Sequence, residues 1–273
     1  MAKPTPLQIE AILEEMGEVG RHLHQMGACE GGAGNISAGV RDALEFRHLF
    51  PIEDQIQLPD PVPGLAGMTF ICSGSGCRLR DIEKYPTANM GCLVVNEGGL
   101  TGQLFTGQDR QFTRLTSEFN THLAVHNNEM SGGKLPYHAV LHAQPLYLTF
   151  LSHIERYQNE KFFNHNLLRW EPETIFQFPQ GFGVCEYAPP GTAEMQAVTV
   201  EAMRSHTIAV WCKHGVMTRS NVSMMQAFDR IEYAETAARY EHFNLSMGEP
   251  SSGLSVDEIL EFCKRHNVDQ KVF

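Results

Sequence analysis

Apolar side chains recur every three or four positions at Ile9, Ile12, Leu13, Met16, Val19, Leu23 and Met26 and stop at Gly27, which predicts an amphipathic first helix. Thr5-Pro6-Leu7-Gln8 precedes it as a capping box with proline at the first helical position. Met68 to Cys72 reads as a strand running into a small-residue loop, Ser73-Gly74-Ser75-Gly76. Cys92–Asn96 and Leu100–Thr106 flank Glu97-Gly98-Gly99 and predict a hairpin. A helix opens over Thr113–Glu118 and continues through Phe119, Leu123, His126 and Met130. Tyr137 to His142 is an apolar strand followed by Gln144 and Pro145, the proline suiting the first turn of a mostly buried helix from Pro145 to Ile154.

Further on, Phe182–Tyr187 is a predicted strand, and Pro190-Gly191-Thr192 starts a helix running to about Ser205. Thr207–Trp211 and Val216–Arg219 are strands on either side of Cys212-Lys213-His214-Gly215. A helix of about 24 residues follows, and Ser255-x-x-Glu258 caps the last one. Glu30 to Ser37 reads as a glycine-rich turn, residues 45–67 with four prolines as a long surface excursion, and Trp170 to Thr174 as polar and turn-like. There is no internal repeat, low-complexity segment or linker. Several strand pairs have connections too short for parallel crossovers, so the expectation is one mixed α/β domain, residues 1–273, with a largely antiparallel sheet.

Composition narrows the functional classes. A chain of 273 residues and 30.6 kDa suffices for a sizeable core. A formal charge of −11 without clustered Lys or Arg argues against nucleic acid and anionic membranes as partners. It leaves room for a small phosphorylated ligand, which backbone amides and hydroxyls can hold without a basic patch. Seven scattered cysteines without C-x-x-C spacing read as reduced thiols rather than a disulfide framework or zinc ribbon. No cationic start precedes an apolar core, and no apolar run approaches the roughly 18 residues of a membrane span, so a soluble, cytoplasmic protein is expected.

Candidate chemistry gathers at two strand ends. Residues two apart in a strand point to the same side, so His142 and Gln144 would project together at the mouth of the sheet. His214 also stands where an apolar strand stops, with Gly215 leaving room beside it. With Glu118 they offer two nitrogens and one oxygen, and the Gln144 carbonyl a second oxygen; three protein ligands and an open position define a catalytic metal site. The glycine-rich turn with Asn35, the Ser73–Gly76 loop, and the Thr116 and Ser117 hydroxyls near a helix start suit an anion. His22, His24, His48, His126, His153, His165 and His266 read as structural or exposed.

Taken together, these segments resemble the class II aldolase/adducin superfamily, and within it the rhamnulose-1-phosphate aldolase type. The resemblance runs from Gly27 to the last helix. It is carried by Gly34-Asn35, Gly74-Ser75-Gly76, Leu115-Thr116-Ser117-Glu118, the stretch around His142, Trp170-Glu171-Pro172-Glu173-Thr174, Pro190-Gly191-Thr192 and Lys213-His214-Gly215-Val216. It implies a three-layer fold in which His142, His214 and Glu118 ligate one divalent ion per subunit, usually zinc, with Glu118 doubling as the base. By the same resemblance Asn35, Ser75, Gly76, Thr116 and Ser117 hold the substrate phosphate. Glu173 is the implied second acid, reaching the aldehyde side from a neighbouring subunit of a cytoplasmic homotetramer.

The implied reaction belongs to rhamnose degradation: reversible cleavage of L-rhamnulose 1-phosphate, or a similar ketose 1-phosphate, to dihydroxyacetone phosphate and L-lactaldehyde through a metal-stabilised enediolate. Two positions depart from the family pattern. Gln144 stands where the family has a second ligand histidine, and a neutral amide oxygen is a weaker zinc donor. Gly32 stands where an asparagine is common, removing a phosphate donor worth about 1.5–3 kcal/mol if it bonds a charged group. The Gln144 departure motivates an alternative, a metal-poor adducin-like binding or scaffold homologue. An epimerase or dehydratase acting through an enediolate is a third reading.

Overall fold

The computed structural model describes residues 7–273. In chain order the elements are α1 (Ile9–Gln25), β1 (Asn35–Val40), β2 (Ile52–Gln57), β3 (Thr69–Ser73), α2 (Pro86–Asn89), β4 (Met90–Val95), β5 (Thr101–Thr106), α3 (Phe119–Met130), β6 (Tyr137–Ala143), α4 (Leu146–Leu151), α5 (Glu160–Leu167), α6 (Pro172–Gln177), β7 (Gly183–Cys185), α7 (Ala193–Met203), β8 (Ile208–Trp211), β9 (Gly215–Ser220), α8 (Met224–Met247) and α9 (Val256–His266). Among the described residues all nine strands join one sheet in the order β2-β5-β4-β3-β1-β6-β9-β8-β7, antiparallel throughout except for the β7–β8 pair. Helices flank this large central sheet, giving the mixed α/β architecture expected from the strand and helix pattern.

Period-two alternation sorts the central strands into two faces. Ile36, Ala38 and Val40 of β1 and Tyr137, Ala139, Leu141 and Ala143 of β6 enter the main apolar core with residues of α1 and α8. On the other face Val140 packs with Val125 of α3 and with Met195 and Met203 of α7. Phe70, Cys72, Leu93 and Leu104 pack there with Leu123 and Met130 of α3. α1 lies close because its glycines permit it: a Cβ on Gly20 would stand 2.2 Å from the Leu79 carbonyl oxygen, and one on Gly17 2.6 Å from the Glu83 Cα.

Several boundaries differ from the sequence reading for identifiable reasons. α1 begins at Ile9 after an extended Gln8, later than a proline-led start; Thr5 and Pro6 lie outside the described residues. Asn35 to Ser37 belong to β1 rather than to the glycine-rich turn. The proline-rich stretch contains an edge strand, β2, whose largely exposed residues lack apolar alternation. Glu118 is the N-cap of α3, one residue outside the first turn. The helix after Pro145 is only six residues, with Leu146 and Phe150 exposed, and Pro172 starts a helix where a turn was expected. The hairpin, the 24-residue helix and the Ser255–Glu258 capping box are present as read. All seven cysteines are buried and free.

Between the two apolar clusters on the α3 face runs a buried polar column. Ser37 Oγ lies 2.6 Å from His122 Nδ1 and 2.8 Å from His126 Nε2, and His126 Nδ1 lies 2.8 Å from His138 Nδ1. Burial lowers the pKa of His122 to about 3, with like-charge repulsion from His126 adding to it. It lowers His138 to about 3 and His126 well below its ordinary value, with Arg219 and His138 respectively as lesser causes. All three are neutral in the folded protein at neutral pH.

Two outcomes follow. Gly20→Ala would gain up to about 1 kcal/mol of helix propensity, but overpacking against a backbone oxygen costs more, so a net loss of about 1–3 kcal/mol is expected in urea unfolding. For pH, the unfolded chain takes up protons on these histidines below 6.5, while in the folded chain His122 and His138 resist until about 3 and His126 is held well below its ordinary value. Stability is therefore complete above that upper value and falls with acidification across the window, by about 1.4 kcal/mol per pH unit for each histidine at most. A flat urea midpoint from pH 7 to 4 would contradict that accounting.

Candidate metal centre

The register of the sheet assembles the site. Asn35 pairs with His142 across β1 and β6, and His142 pairs with Met217 across β6 and β9, which brings the end of β6 beside the start of β9. His214 closes the tight β8–β9 connection, its N–H donating to the Trp211 carbonyl at 3.0 Å. Lys213 supplies the left-handed backbone for that turn, with φ 66°, and its N–H donates to Ser152 Oγ at 2.8 Å. Gly215 must be small: a Cβ there would stand 2.5 Å from the Ala143 carbonyl oxygen and 3.1 Å from both His142 Cε1 and Gln144 Cγ. The same glycine brings the Gln144 side chain alongside the His142 ring.

Glu118 enters from the start of α3. Its Oε1 is 3.5 Å from His214 Nε2 and its Oε2 is 3.7 Å from His142 Nε2. The imidazole rings are 4.9 Å apart between centroids, and the buried Trp211 indole lies 4.7 Å from one and 5.1 Å from the other. The Trp211 N–H is anchored to Thr199 Oγ1 at 2.8 Å. His142 donates from Nδ1 to the Val216 carbonyl at 2.8 Å, which turns Nε2 toward Glu118.

These atoms suit a cation. Donors arranged tetrahedrally at about 2.1 Å from an ion stand about 3.4 Å from one another. One donor atom from each of Glu118, His142 and His214 lies within 4.8 Å of the others, and each imidazole faces its own carboxylate oxygen, Oε1 at 3.5 Å for His214 and Oε2 at 3.7 Å for His142. Protonation also fits. Burial pushes the Glu118 carboxyl up, but the neighbouring His142 and the Asn35 hydrogen bond outweigh it and hold the group below its ordinary value. Burial, then His142, lowers His214. An ionised oxygen donor therefore faces a neutral imidazole.

The anion-binding candidates sit on the same rim. Thr116 and Ser117 immediately precede Glu118, and the Thr116 N–H donates to the Ser73 carbonyl at 3.0 Å. The Ser75 N–H donates to the Arg114 carbonyl at 2.9 Å, so the 73–76 and 114–118 loops run together. Gly32 abuts Gly76, whose φ is 78°. Ser75 is half-buried, Gly76 and Ser117 are exposed, and Thr116 is buried. Asn35 is committed differently: its Nδ2 donates to Glu118 Oε2 at 2.7 Å and its Oδ1 accepts from His122 Nε2. Glu173 is exposed on α6, which packs on α8 and α9, and it does not join the cluster within this chain.

Three side chains at or next to the cluster escaped the sequence reading: Trp211, His122 and Ser37. Trp211 ends a strand that reads as ordinary core. His122 lies four residues beyond Glu118, one helical turn on, a spacing that could have drawn attention to it.

Comparison with known proteins identifies the family. Residues 14–242 match the family described as Class II Aldolase and Adducin N-terminal domain. The rhamnulose-1-phosphate aldolase of Bacteroides thetaiotaomicron is 27% identical over 258 residues, covering 94% of each chain. That of Klebsiella pneumoniae is 30% identical over 215 residues, covering 78% of this chain and 76% of the relative. A sugar-phosphate aldolase from Thermotoga maritima superposes with a TM-score of 0.73 at 26% identity, over 90% of this chain and 99% of that one. With its fold, its match over most of its length and a cluster able to hold a cation, the chain belongs to the class II aldolase and adducin family, on the side of the metal-dependent aldolases.

Proposed function

We propose that this protein is a sugar-phosphate aldolase that reversibly cleaves L-rhamnulose 1-phosphate, or a similar ketose 1-phosphate, to dihydroxyacetone phosphate and L-lactaldehyde. The observation that carries the reading is the convergence of the Glu118 carboxylate with the Nε2 atoms of His142 and His214 on a rim lined by the 73–76 and 114–118 loops. The names of the relatives supply the substrate class.

In this reading His142, His214 and Glu118 hold one divalent ion, zinc first, with the Gln144 carbonyl as a neutral fourth donor. When bound, such an ion supplies Lewis acidity to the substrate carbonyl. Ser75, Thr116 and Ser117 bind the phosphate through their hydroxyls and Gly76 and Ser117 through their backbone N–H groups, and Asn35 contributes the N–H it does not give to Glu118. In the synthetic direction Glu118 takes a proton from the carbon beside the carbonyl of dihydroxyacetone phosphate. The electron pair left on that carbon forms the new bond to the aldehyde carbon. The aldehyde oxygen receives a proton from a second acid, Glu173 of a neighbouring subunit; cleavage runs the same steps in reverse.

A subunit contact is supported by exposed apolar side chains on α4 and the end of α8, among them Leu146, Phe150, Phe243 and Met247. We assign the protein to the cytoplasm as a homotetramer; among the described residues no helix is long and apolar enough to cross a membrane. Gln144 favours a second reading, a metal-poor binding homologue in the manner of adducin. It differs from the first by binding no stoichiometric ion.

Metal analysis of the purified protein, paired with an assay for release of dihydroxyacetone phosphate, tests the proposal. Stoichiometric metal and cleavage are expected, both removed by a chelator and restored by zinc; background metal with no proton exchange on dihydroxyacetone phosphate would favour the binding homologue. Glu118→Gln should lower kcat by about 10²–10⁴-fold. Gln144→His exchanges a weak oxygen donor for an imidazole and should tighten zinc binding about tenfold or more, read by competition with a chromogenic chelator. Unchanged affinity would mean that this side chain does not face the ion.

A further inference from the structure

The buried column on the α3 face connects without a break to Glu118, and its hydrogens can be ordered from that end. An ionised carboxylate only accepts, so the 2.7 Å contact must be a donation from Asn35 Nδ2. The Asn35 carbonyl oxygen then faces His122, which must carry its proton on Nε2. Neutral His122 is left with a lone pair on Nδ1, and the Ser37 hydroxyl, 2.6 Å away, donates to it. With its only proton spent, Ser37 accepts from His126 Nε2 at 2.8 Å. His126 Nδ1 is then an acceptor, and His138 Nδ1 donates to it at 2.8 Å. The chain ends on His138 Nε2, a buried nitrogen with no partner among the described residues.

Every donor in this chain points toward Glu118, and aligned bonds polarise one another. The amide in the middle decides what the chain does. A hydroxyl or an imidazole can take a proton on one side and release it on the other, whereas the Asn35 amide would have to flip. The column therefore orients the carboxylate and does not drain protons from it. Asn35, Ser37, His122, His126 and His138 are all at most 7% exposed, with apolar clusters on both sides. Apolar residues could fill such a position without the cost of desolvating polar groups.

We propose that His122 is a positioning residue for Glu118. Acting through Asn35, it holds the carboxylate toward His142 and His214, while Ser37, His126 and His138 fix its tautomer. The inference rests on the reading of Glu118 as metal ligand and base, yet two of its tests do not require turnover.

The first is ¹⁵N NMR of the histidine-labelled protein, with rings assigned by single substitution. His122 and His126 are expected as Nε2–H tautomers and His138 as the Nδ1–H tautomer; His122 found as Nδ1–H would overturn the proposal. The second compares His122→Phe, which cannot donate, with His122→Gln, whose amide can donate to Asn35 and accept from Ser37. His122→Phe should weaken zinc affinity about tenfold. It should also lower kcat about 100-fold with KM unchanged, as expected for a misplaced base. His122→Gln should recover most of both losses.

Equal losses in the two variants, or a matching rise in KM, would reduce His122 to a packing role. Wild-type affinity and kcat in His122→Phe would dismiss it. Should His122→Phe fail to fold, the wild-type spectrum decides. An inactive wild type would sink the sugar-phosphate assignment, while the tautomers and zinc affinities would still judge the positioning chain.

Discussion

The site depends on the register of β6. Paired as it is, β6 sends Tyr137, Ala139, Leu141 and Ala143 into the core beneath α1 and α8, and His138, Val140 and His142 toward α3 and α7. A slip of one residue would exchange the two sets. That would drive imidazoles into the apolar layer and turn four core side chains out of it. Burying Leu141 alone is worth about 1.5–3 kcal/mol, and the loss of Tyr137 from the core and of partners for the displaced imidazoles would add to it, so one register is left. Apolar packing on one side of the sheet thus decides where the chemistry stands on the other.

The α3 side carries the costs. Glu118 is 3% exposed, and a carboxylate so placed persists only because imidazoles and the Asn35 amide surround it. Lys213 adopts a left-handed backbone to let His214 turn inward, a conformation costing about 1–3 kcal/mol at a non-glycine residue. Gly215 gives up a side chain so that the end of β6 can approach. Each local rule broken here serves the meeting of Glu118, His142 and His214, and the α1–α8 core offsets the expense.

Gln144 sits in this setting as a graded change. Its Cγ and His142 Cε1 both stand 3.1 Å from where a Cβ on Gly215 would lie, and in the proposed reading replacing an imidazole nitrogen by a neutral oxygen alters affinity and metal preference before it alters geometry. The three remaining donor atoms are held by separate elements: the N-cap of α3, the end of β6 and the β8–β9 turn. None of those supports passes through Gln144.

Local pattern determined the first helix, the 92–106 hairpin, the strands ending at His142 and Trp211, the long helix after Ser223 and the capped last one, since each rests on periodicity or capping within a few residues. It also picked out His142, with Gln144 two residues on, and His214 as candidates, because strand ends and a neighbouring glycine are visible along the chain; the role of Glu118 came from the family resemblance. The edge strand β2 stayed hidden because only Ile52 and Ile56 among its six residues are apolar, most of it is exposed, and it owes its existence to pairing with β5. The helix at Pro172 was missed because packing against α8 and α9, not local propensity, sustains it. Only the tertiary structure could turn Asn35 from a loop residue into the partner of Glu118 and raise His122, Ser37 and His126 from core residues to a directed chain. Their contacts span 83 to 89 positions in sequence, and distance along a chain leaves no periodic trace.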